Sequence, residues 1–239
     1  MSGIENHDND NDNYTRKVQQ QPKMIVFDLD GCLWKPEMYE LSWYGKGSPF
    51  KSDGNNKGNL ISASGDKVHL LGNVRTIFSE LYSNNNNNNN KTNNRHPQES
   101  LSTAAPLVGI SSRTDEPDWA LELLEKFRLD DGVTPMAAVF GNHDDNNNKK
   151  NSNNKSLMQN ERIEISYDSK TSHFQRLSAK TGIALEDMVF FDNERGNCVQ
   201  VAKLGVTVAY VPNGVTSKLY QAALDAFPTT SGEVVNLDK

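Results

Sequence analysis

The sequence predicts an α/β fold built on a parallel sheet. Short runs of consecutive apolar residues, such as those at 24–27 and 188–191, have no polar alternation and so predict strands that are buried on both faces. Apolar residues at helical spacing occupy the segments between these runs. Strands that alternate with helices along one chain indicate a parallel sheet with right-handed crossover connections.

The elements follow in order from these patterns and from their capping residues. One predicted helix opens on a proline after Thr114 or Asp115, and another opens after Thr171 or Ser172 and ends at Gly182. The predicted strands lie at 24–27, 107–110, 137–140, 188–191 and 206–211, and the predicted helices lie at 68–82, 117–127, 172–181, 195–204 and 217–226.

Residues 35–66 predict an ordered flap of loops between the first strand and the first helix. Their aromatic residues are too many for a disordered segment, and the spacing of these residues does not fit one helix. A hairpin within the flap is an open alternative. The flap would lie beside the end of the first strand, where it could cover the core or contact a ligand.

Low-complexity tracts interrupt a single predicted domain at 22–230. Asparagine-rich sequence predicts flexible insertions at about 84–103 and 142–160. The polar residues 1–21 predict a disordered tail, and residues 231–239 predict a short C-terminal tail. No pattern indicates a second hydrophobic core.

Composition excludes several functional classes. The chain of 239 residues has a net charge of −6, which provides no general basic field for nucleic acid or an anionic membrane. No signal-peptide pattern and no apolar stretch of membrane-spanning length occurs. Cys32 and Cys198 are too few for a disulfide framework and have no metal-binding spacing. We therefore expect a soluble cytoplasmic protein, with the nucleus as an alternative, in which both cysteines are buried.

Acidic residues stand where two predicted strands end. Asp28 and Asp30 directly follow the first strand, and Asp192 follows a later one. Two carboxylates so close repel each other unless a cation or a shared proton offsets them, although Asp and Gly are also ordinary turn formers. Because parallel strands end at one edge of the sheet, Ser112 and Lys170 can converge on the same place. Carboxylates suit Mg²⁺, while a hydroxyl and an ammonium suit a phosphate.

Four motifs resemble those of the haloacid dehalogenase superfamily. In chain order they read Phe27-Asp28-Leu29-Asp30, Ser112-Arg113-Thr114, Ser169-Lys170 with His173-Phe174, and Phe190-Phe191-Asp192 with Glu194 and Asn197. Their wording is most similar to the magnesium-dependent phosphatase family, of acid phosphatase type, over roughly residues 23–225 apart from the two insertions. The resemblance implies a Rossmann-like, doubly wound sheet with the small flap and no large cap domain.

The resemblance also implies a role for each motif residue. Asp28 would be the nucleophile that becomes an aspartyl-phosphate, and Asp30 would protonate the leaving oxygen and then activate water. Ser112 would bond a phosphoryl oxygen, and Lys170 would neutralise charge between the nucleophile and the phosphate. Mg²⁺ would be held by the carboxylates of Asp28 and Asp192 and by the backbone carbonyl of Asp30.

Residues beside these motifs leave alternatives open. Arg113 is implied to bind substrate, and a surface ion pair with Asp115 is the alternative. His173 falls inside a helix, where we expect it to pack. Many relatives have two adjacent acids after the fourth strand, whereas Asn193 occupies the second position here, so metal binding is expected to be weaker. Asn193 could instead cap the next helix, and Glu194 could assist the metal through water.

The activity that the resemblance implies is Mg²⁺-dependent hydrolysis of phosphomonoesters. Without a large cap the site should be open, which suits phosphotyrosine on proteins, as in a protein tyrosine phosphatase, or phosphorylated sugar adducts. The expected partner is thus a phosphorylated small molecule or a phosphoprotein, with no nucleic acid and no membrane. A phosphotransferase and a non-catalytic phosphate-binding or scaffold protein are the alternatives. The oligomeric state is open.

Overall fold

The computed structural model describes residues 20–43, 45–54, 58–92, 105–141, 155–229 and 232–236. Its strands are β1 (Met24–Phe27), β2 (Trp34–Lys35), β3 (Lys51–Ser52), β4 (Leu60–Ile61), β5 (Lys67–Leu70), β6 (Leu107–Ser112), β7 (Ile163–Ile165), β8 (Met188–Asp192), β9 (Thr207–Tyr210) and β10 (Val234–Val235). Its α-helices are α1 (Met38–Ser42), α2 (Val74–Thr92), α3 (Pro117–Lys126), α4 (Lys155–Met158), α5 (Lys170–Thr181), α6 (Arg195–Ala202) and α7 (Ser217–Asp225), and 3₁₀ turns occupy Met136–Phe140 and Leu185–Asp187.

Six parallel strands form the central sheet in the order β10-β9-β8-β1-β6-β7. Strand β1 lies in the interior of this sheet, and all four of its residues are buried. The chain proceeds from β1 to β6 and β7 on one side and then to β8, β9 and β10 on the other. The strand order therefore reverses at β1, and ligands of open α/β sheets bind beside such a point, at the carboxyl ends of the strands.

Different helices cover the two faces of the sheet. Because side chains alternate along a strand, Ile25 and Phe27 of β1 join an apolar cluster with α2, α3 and α7. Met24 and Val26 join a second cluster with α5 and α6. The predicted doubly wound α/β fold is confirmed. Cys32 and Cys198 are buried and free, as expected.

The predicted flap is a small antiparallel sheet with one short helix. Its strands lie in the order β2-β5-β4-β3, and α1 lies between β2 and β3. Trp34, Phe50, Leu60 and Val68 of the flap are buried in the same apolar cluster as α2 and α3. The flap is therefore an ordered part of the domain, and it contains the antiparallel pairs that the sequence left as an alternative.

The predicted strand at 137–140 is wrong. These residues belong to a 3₁₀ turn that follows Pro135, and Met136, Val139 and Phe140 are buried. A short apolar run is compatible with any fully buried backbone, so periodicity alone cannot identify it. The neighbour of β6 on that side of the sheet is β7, and the 3₁₀ turn packs against α2 and α3.

The predicted helix at 68–82 begins too early. Residues 67–70 form β5, and the chain then turns at Gly72, whose φ is +48°. A Cβ there would lie 2.3 Å from the carbonyl oxygen of Val215. Helix α2 starts at Val74 and continues through Thr92, into the predicted insertion, because each added residue of an established helix gains one backbone hydrogen bond. Residues 93–104 of that insertion lie outside the described residues.

Three further boundaries differ from the prediction. Ser169 caps α5, since its side chain accepts a hydrogen bond from the Ser172 amide, and Gly182 ends the helix as predicted. Helix α3 begins after Glu116, whose amide donates to the Thr114 hydroxyl. Part of the predicted C-terminal tail forms β10, which pairs in parallel with β9. In the part of the chain that the structure describes, no helix is long and apolar enough to cross a membrane.

The end of the second predicted insertion is packed. Leu157 of α4 contacts the larger apolar cluster. Asn160 is buried, accepts a hydrogen bond from the Arg162 amide at 3.0 Å and donates one to the Phe140 carbonyl at 3.3 Å. This side chain therefore supports the entry into β7. Residues 142–154 lie outside the described residues.

We predict that Asn160→Ala lowers the free energy of unfolding by about 1 to 3 kcal/mol, because it leaves a buried amide and a buried carbonyl unpaired. Urea denaturation measures this change. Gln159 is exposed next to it, and Gln159→Ala should change stability by less than about 0.5 kcal/mol. Equal effects of the two substitutions would show that the Asn160 hydrogen bonds contribute nothing.

Candidate active site

The carboxyl edge of the sheet brings together Asp28, Ser112 and Asp192. Asp28 directly follows β1, and its backbone amide donates to the carbonyl of Phe191 on β8 at 2.9 Å. Phe27 is in register with Phe191 on one side and with Ile110 on the other. Asp28, which follows β1, is consequently a neighbour of the last residues of β6 and β8, Ser112 and Asp192, as the sequence predicted.

Lys170 reaches this edge from the first turn of α5. Its ammonium donates to Oδ1 of Asp28 at 2.6 Å and to the backbone carbonyl of Ser111, and it lies 3.4 Å from Oδ2 of Asp192. The lysine side chain is 1% exposed. Burial alone would lower its pKa, but the charges of Asp28 and Asp192 outweigh burial and raise the pKa of Lys170 above its ordinary value.

Asp192 is fully buried behind the pocket. Its Oδ1 accepts a hydrogen bond from the Glu194 amide at 2.6 Å, and its Oδ2 accepts one from Nδ2 of Asn197 at 3.1 Å. The same Asn197 amide group donates to Oε2 of Glu194 at 2.9 Å. Burial, with the nearby charge of Asp28, raises the pKa of Asp192 to about 7.

Asp30 lies in the turn between β1 and the flap. Trp34 Nε1 donates to its Oδ1 at 2.8 Å, and the Met38 amide donates to its Oδ2 at 3.2 Å. Burial is the main cause that raises the pKa of Asp30 to about 7, and the charge of Asp28 adds to it. These donors and a hydrogen bond with Thr114 act in the opposite direction. A carboxyl with a pKa near neutrality can both give and take a proton.

A pocket of about 290 Å³ opens at this edge. Five residues with predicted roles line it, namely Asp28, Asp30, Ser112, Arg113 and Lys170. Its remaining lining comprises Glu37, Tyr39, Thr114, Asp115, Tyr167, Glu194 and Asn197. The pocket wall therefore contains most of the predicted site, and its rim contains several residues that the sequence argument left without a role.

Ser112 and Arg113 differ in their surroundings. Ser112 is buried, and its hydroxyl accepts a hydrogen bond from the Thr114 amide at 3.3 Å. Arg113 is exposed at the pocket wall. Among the described residues, no ion pair joins Arg113 to Asp115, so the surface pair that competed with a substrate role is not formed.

Asn193 and Glu194 lie between β8 and helix α6. Helix α6 begins after Glu194, so Asn193 is not its capping residue. A Cβ at Gly31 would lie 2.3 Å from Nδ2 of Asn193. The asparagine side chain is thus folded against the turn that directly follows Asp30, beside the carboxylates.

His173 packs inside α5, as expected, and also bridges two hydroxyl groups. Its Nδ1 lies 3.0 Å from the hydroxyl of Ser111, and its Nε2 lies 3.0 Å from that of Ser166. The ring is fully buried. Burial, with the nearby charge of Lys170, lowers the pKa of His173 from 6.5 to about 4. The imidazole is therefore neutral at neutral pH.

The donor set at this edge fits a hard divalent cation. The Lys170 ammonium contacts Asp28 and Asp192, and Asp30 lines the same pocket as Asp28. Burial is the main cause that raises the pKa values of Asp30 and Asp192, and the negative charge of Asp28 adds to it. Over the described ranges, no three His, Cys, Asp or Glu side chains are grouped so as to bind a metal by themselves. Two carboxylates with a backbone carbonyl, water or phosphate oxygens would complete an oxygen shell of the kind that Mg²⁺ prefers.

Comparison with known protein families assigns the chain to a family. A family model described as Acid Phosphatase matches residues 20–230. The chain belongs to the acid phosphatase family. The resemblance that the four motifs predicted is thereby confirmed, and the matched range spans the whole sheet apart from β10.

Individual relatives agree with the family assignment. The chain is 47% identical over 64 residues to magnesium-dependent phosphatase 1 of Homo sapiens, a match that covers 27% of this chain and 36% of that protein. It is 28% identical over 188 residues to a HAD-like hydrolase superfamily protein of Schizosaccharomyces pombe, covering 78% and 83% of the two chains. A solved structure of the N-terminal part of a Bacteroides fragilis protein contains a phosphatase domain complexed with Mg. It matches 89% of this chain and 42% of that chain at 12% identity, with a TM-score of 0.38, and we draw no argument from it.

The sequence did not predict a place in the site for several residues. Asn197 was visible in the fourth motif, but its hydrogen bonds to Asp192 and Glu194 could be assigned only once α6 was in place. Tyr39 and Tyr167 line the pocket from positions far apart in the chain. The only signal for Tyr39 was its place in an aromatic flap, and no signal marked Tyr167.

We predict that His173 makes stability depend on pH between about 6.5 and 4. As the pH falls through this window, the unfolded chain takes up a proton on His173 that the folded protein does not accept, so stability is lost, by up to about 3 kcal/mol, and levels off below the folded pKa. His173→Gln, which cannot titrate, should lack this component.

The measurement is urea unfolding of both proteins at a series of pH values across the window. The difference between the two stability curves isolates the His173 component from the carboxylates that titrate in the same range. His69→Gln, at an exposed residue of β5, is the matched control and should reproduce the parent curve. Parallel curves for His173→Gln and the parent would contradict the prediction.

Proposed function

We propose that this protein is a Mg²⁺-dependent phosphatase that hydrolyses phosphomonoesters through an aspartyl-phosphate on Asp28. The observation that carries the proposal is the buried ammonium of Lys170 between Asp28 and Asp192 at the carboxyl edge of the sheet. Membership of the acid phosphatase family supports it. The human relative, magnesium-dependent phosphatase 1, supports the choice of metal.

Asp28 is suited to attack phosphorus. Its carboxylate is held at the pocket wall by the Lys170 ammonium at 2.6 Å, which fixes the orientation of the carboxyl group. In the first half of the reaction an Asp28 oxygen forms a bond to phosphorus while the bond from phosphorus to the leaving oxygen breaks. In the second half water replaces the aspartate, and inorganic phosphate leaves.

Asp30 is suited to move the proton in both halves. With a pKa of about 7 it can protonate the leaving oxygen and then accept a proton from the attacking water. Asp192, by contrast, lies behind the pocket and is engaged by Asn197 and Glu194. This placement favours a role in holding the metal over one in proton transfer.

The remaining residues are suited to hold the phosphoryl group. Ser112 and the exposed Arg113 stand on the same wall as Lys170, and they would donate hydrogen bonds to phosphoryl oxygens. Mg²⁺, when bound through Asp28, Asp192 and the Asp30 carbonyl, would neutralise part of the phosphate charge and so make attack by a carboxylate feasible.

The substrate is proposed to be phosphotyrosine on a protein or a phosphorylated sugar adduct. Tyr39 and Tyr167, which are 49% and 71% exposed, line the pocket and can contact a ring or a sugar face beyond the phosphate. The open pocket admits water, which favours hydrolysis over transfer to another acceptor. A cytoplasmic or nuclear location is proposed as well, and two free buried cysteines are compatible with it.

We predict that Asp28→Asn abolishes hydrolysis of p-nitrophenyl phosphate and leaves the fold intact, because the amide is nearly isosteric but a poor nucleophile. Steady-state assays with Mg²⁺ measure the loss, and Asp118→Asn, at an exposed position of α3, is the matched control. Borohydride quenching during turnover converts an aspartyl-phosphate to homoserine, which mass spectrometry should find at residue 28. Homoserine elsewhere, or substantial turnover by Asp28→Asn, would remove Asp28 from this role.

We predict that Asn193→Asp lowers the Mg²⁺ concentration needed for half-maximal activity. The added charge would lie beside the turn after Asp30, where the cation is proposed to bind, so Coulomb attraction should increase. Activity is titrated against Mg²⁺ at fixed ionic strength. Gln159→Glu adds the same charge before β7, at the opposite edge of the sheet, and should leave the titration unchanged. Superimposable curves for Asn193→Asp and the parent would exclude Asn193 from the surroundings of the metal.

A further inference from the structure

The side chain of Trp34, in the flap, donates a hydrogen bond to the carboxyl group of Asp30. Trp34 is fully buried, and its indole Nε1 donates to Oδ1 of Asp30 at 2.8 Å. The backbone amide of Met38, at the start of α1, donates to the other oxygen, Oδ2, at 3.2 Å. Both carboxyl oxygens of Asp30 are thus held by donors from the flap.

The indole has little freedom to release this hydrogen bond. Its ring stacks on Phe127 with centroids 6.2 Å apart and an angle of 26° between the planes. The backbone of Trp34 pairs with Leu70 in β5, and its carbonyl accepts the amide of Gly31 at 3.0 Å. Strand pairing, ring stacking and the Gly31 turn therefore fix the position of the N–H relative to Asp30.

This arrangement distinguishes the two oxygens of Asp30. Both the indole N–H and the Met38 amide are only donors, so each oxygen accepts one hydrogen bond and keeps a second lone pair. The indole bond, at 2.8 Å, is shorter than the Met38 bond, at 3.2 Å, and stabilises negative charge on Oδ1 more strongly. A proton on Asp30 is therefore favoured on Oδ2, and the position of the ring sets that preference.

We propose that Trp34 is a positioning residue for protonation of the leaving group, because it holds Asp30 with its acidic oxygen presented to the bound ester. The inference rests on the proposed function, in which Asp30 is the acid. In the step concerned, the bond from phosphorus to the leaving oxygen breaks, its electron pair remains on that oxygen, and the oxygen takes the proton from Oδ2. Asp30 is left as a carboxylate.

The consequence depends on the leaving group. Nitrophenolate is a stable anion and leaves without a proton, whereas an alkoxide is a poor leaving group and depends on the acid. Loss of the Trp34 hydrogen bond should therefore slow alkyl phosphates much more than p-nitrophenyl phosphate. A general loss of structure would slow both to the same extent.

The test is Trp34→Phe, which keeps a buried ring and removes the N–H. We compare kcat/KM for p-nitrophenyl phosphate and for glycerol 2-phosphate at saturating Mg²⁺. This parameter includes only the steps up to release of the alcohol, so the later hydrolysis of the phosphoenzyme does not obscure the effect. Trp119→Phe is the matched control, because the Trp119 ring packs against the flap at Gly47.

The expected result is a loss of about ten-fold or more with glycerol 2-phosphate and a small loss with p-nitrophenyl phosphate, since a hydrogen bond to a charged group is among the stronger ones. Trp119→Phe should change both substrates equally. Equal losses in Trp34→Phe, or no loss with either substrate, would overturn the positioning role.

Asp30→Asn separates this inference from the proposed function. It should show a larger difference between the two substrates, within the range of about 10² to 10⁴ typical of general acid catalysis, and adding Trp34→Phe to it should widen the difference no further. If Asp30→Asn slows both substrates equally, Asp30 is not the acid, and its proposed role and the role of Trp34 both fail. If Asp30→Asn slows glycerol 2-phosphate more than p-nitrophenyl phosphate and Trp34→Phe slows both equally, only the role of Trp34 fails.

A second replacement keeps the test decisive if Trp34→Phe unfolds. Benzothienylalanine has the shape of tryptophan with sulfur in place of the N–H, so its incorporation at residue 34 preserves the stacking on Phe127. Thermal unfolding establishes that this protein is folded. The same difference between the two substrates is expected, and its absence in the folded protein would refute the role of Trp34.

Discussion

The ion pair that Lys170 forms with Asp28 and Asp192 is the interaction on which the rest of the site depends. Removing charges from water costs several kcal/mol per ion, and only opposite charges in good geometry offset that cost. Here the pair joins residues 142 positions apart in the chain, so it forms only after α5 has docked beside β1 and β8. Loss of the ammonium would leave two buried carboxylates facing each other, a change that typically costs about 3 to 5 kcal/mol.

The same pair leaves the site with an excess of negative charge. The site has one ammonium, which contacts Asp28 and Asp192, and a third carboxyl group, Asp30, in the same pocket as Asp28. Burial is the main cause of the pKa values of Asp30 and Asp192 near 7, and the charge of Asp28 adds to it. A protein can resolve such an imbalance by binding protons or by binding a cation. The proposed chemistry uses both solutions, since Asp30 exchanges a proton with the substrate and the pair Asp28 and Asp192 is suited to Mg²⁺.

The flap joins the surroundings of Asp30 to the apolar core. It is built from short antiparallel strands, yet Trp34 and Phe50 are buried in the main apolar cluster, and Glu122 of α3 accepts hydrogen bonds from Ser48 and the Phe50 amide. This anchoring fixes the flap in a position from which Trp34 and the Met38 amide hold Asp30, the proposed acid. The flap also leaves the pocket open, and the exposed ring of Tyr39 lies at the pocket wall.

Local patterns by themselves determined the strands at the centre of the sheet and the residues of the four motifs, and the family resemblance of those motifs predicted the doubly wound order. Those predictions succeeded because buried strands lack polar alternation and because parallel strands end at one edge. Tertiary structure alone decided that residues 137–140 form a 3₁₀ turn, that Asn160 is buried, and that Asn197 and Trp34 hold Asp192 and Asp30. Such contacts depend on which distant segments meet, and hydrophobic periodicity carries no information about that.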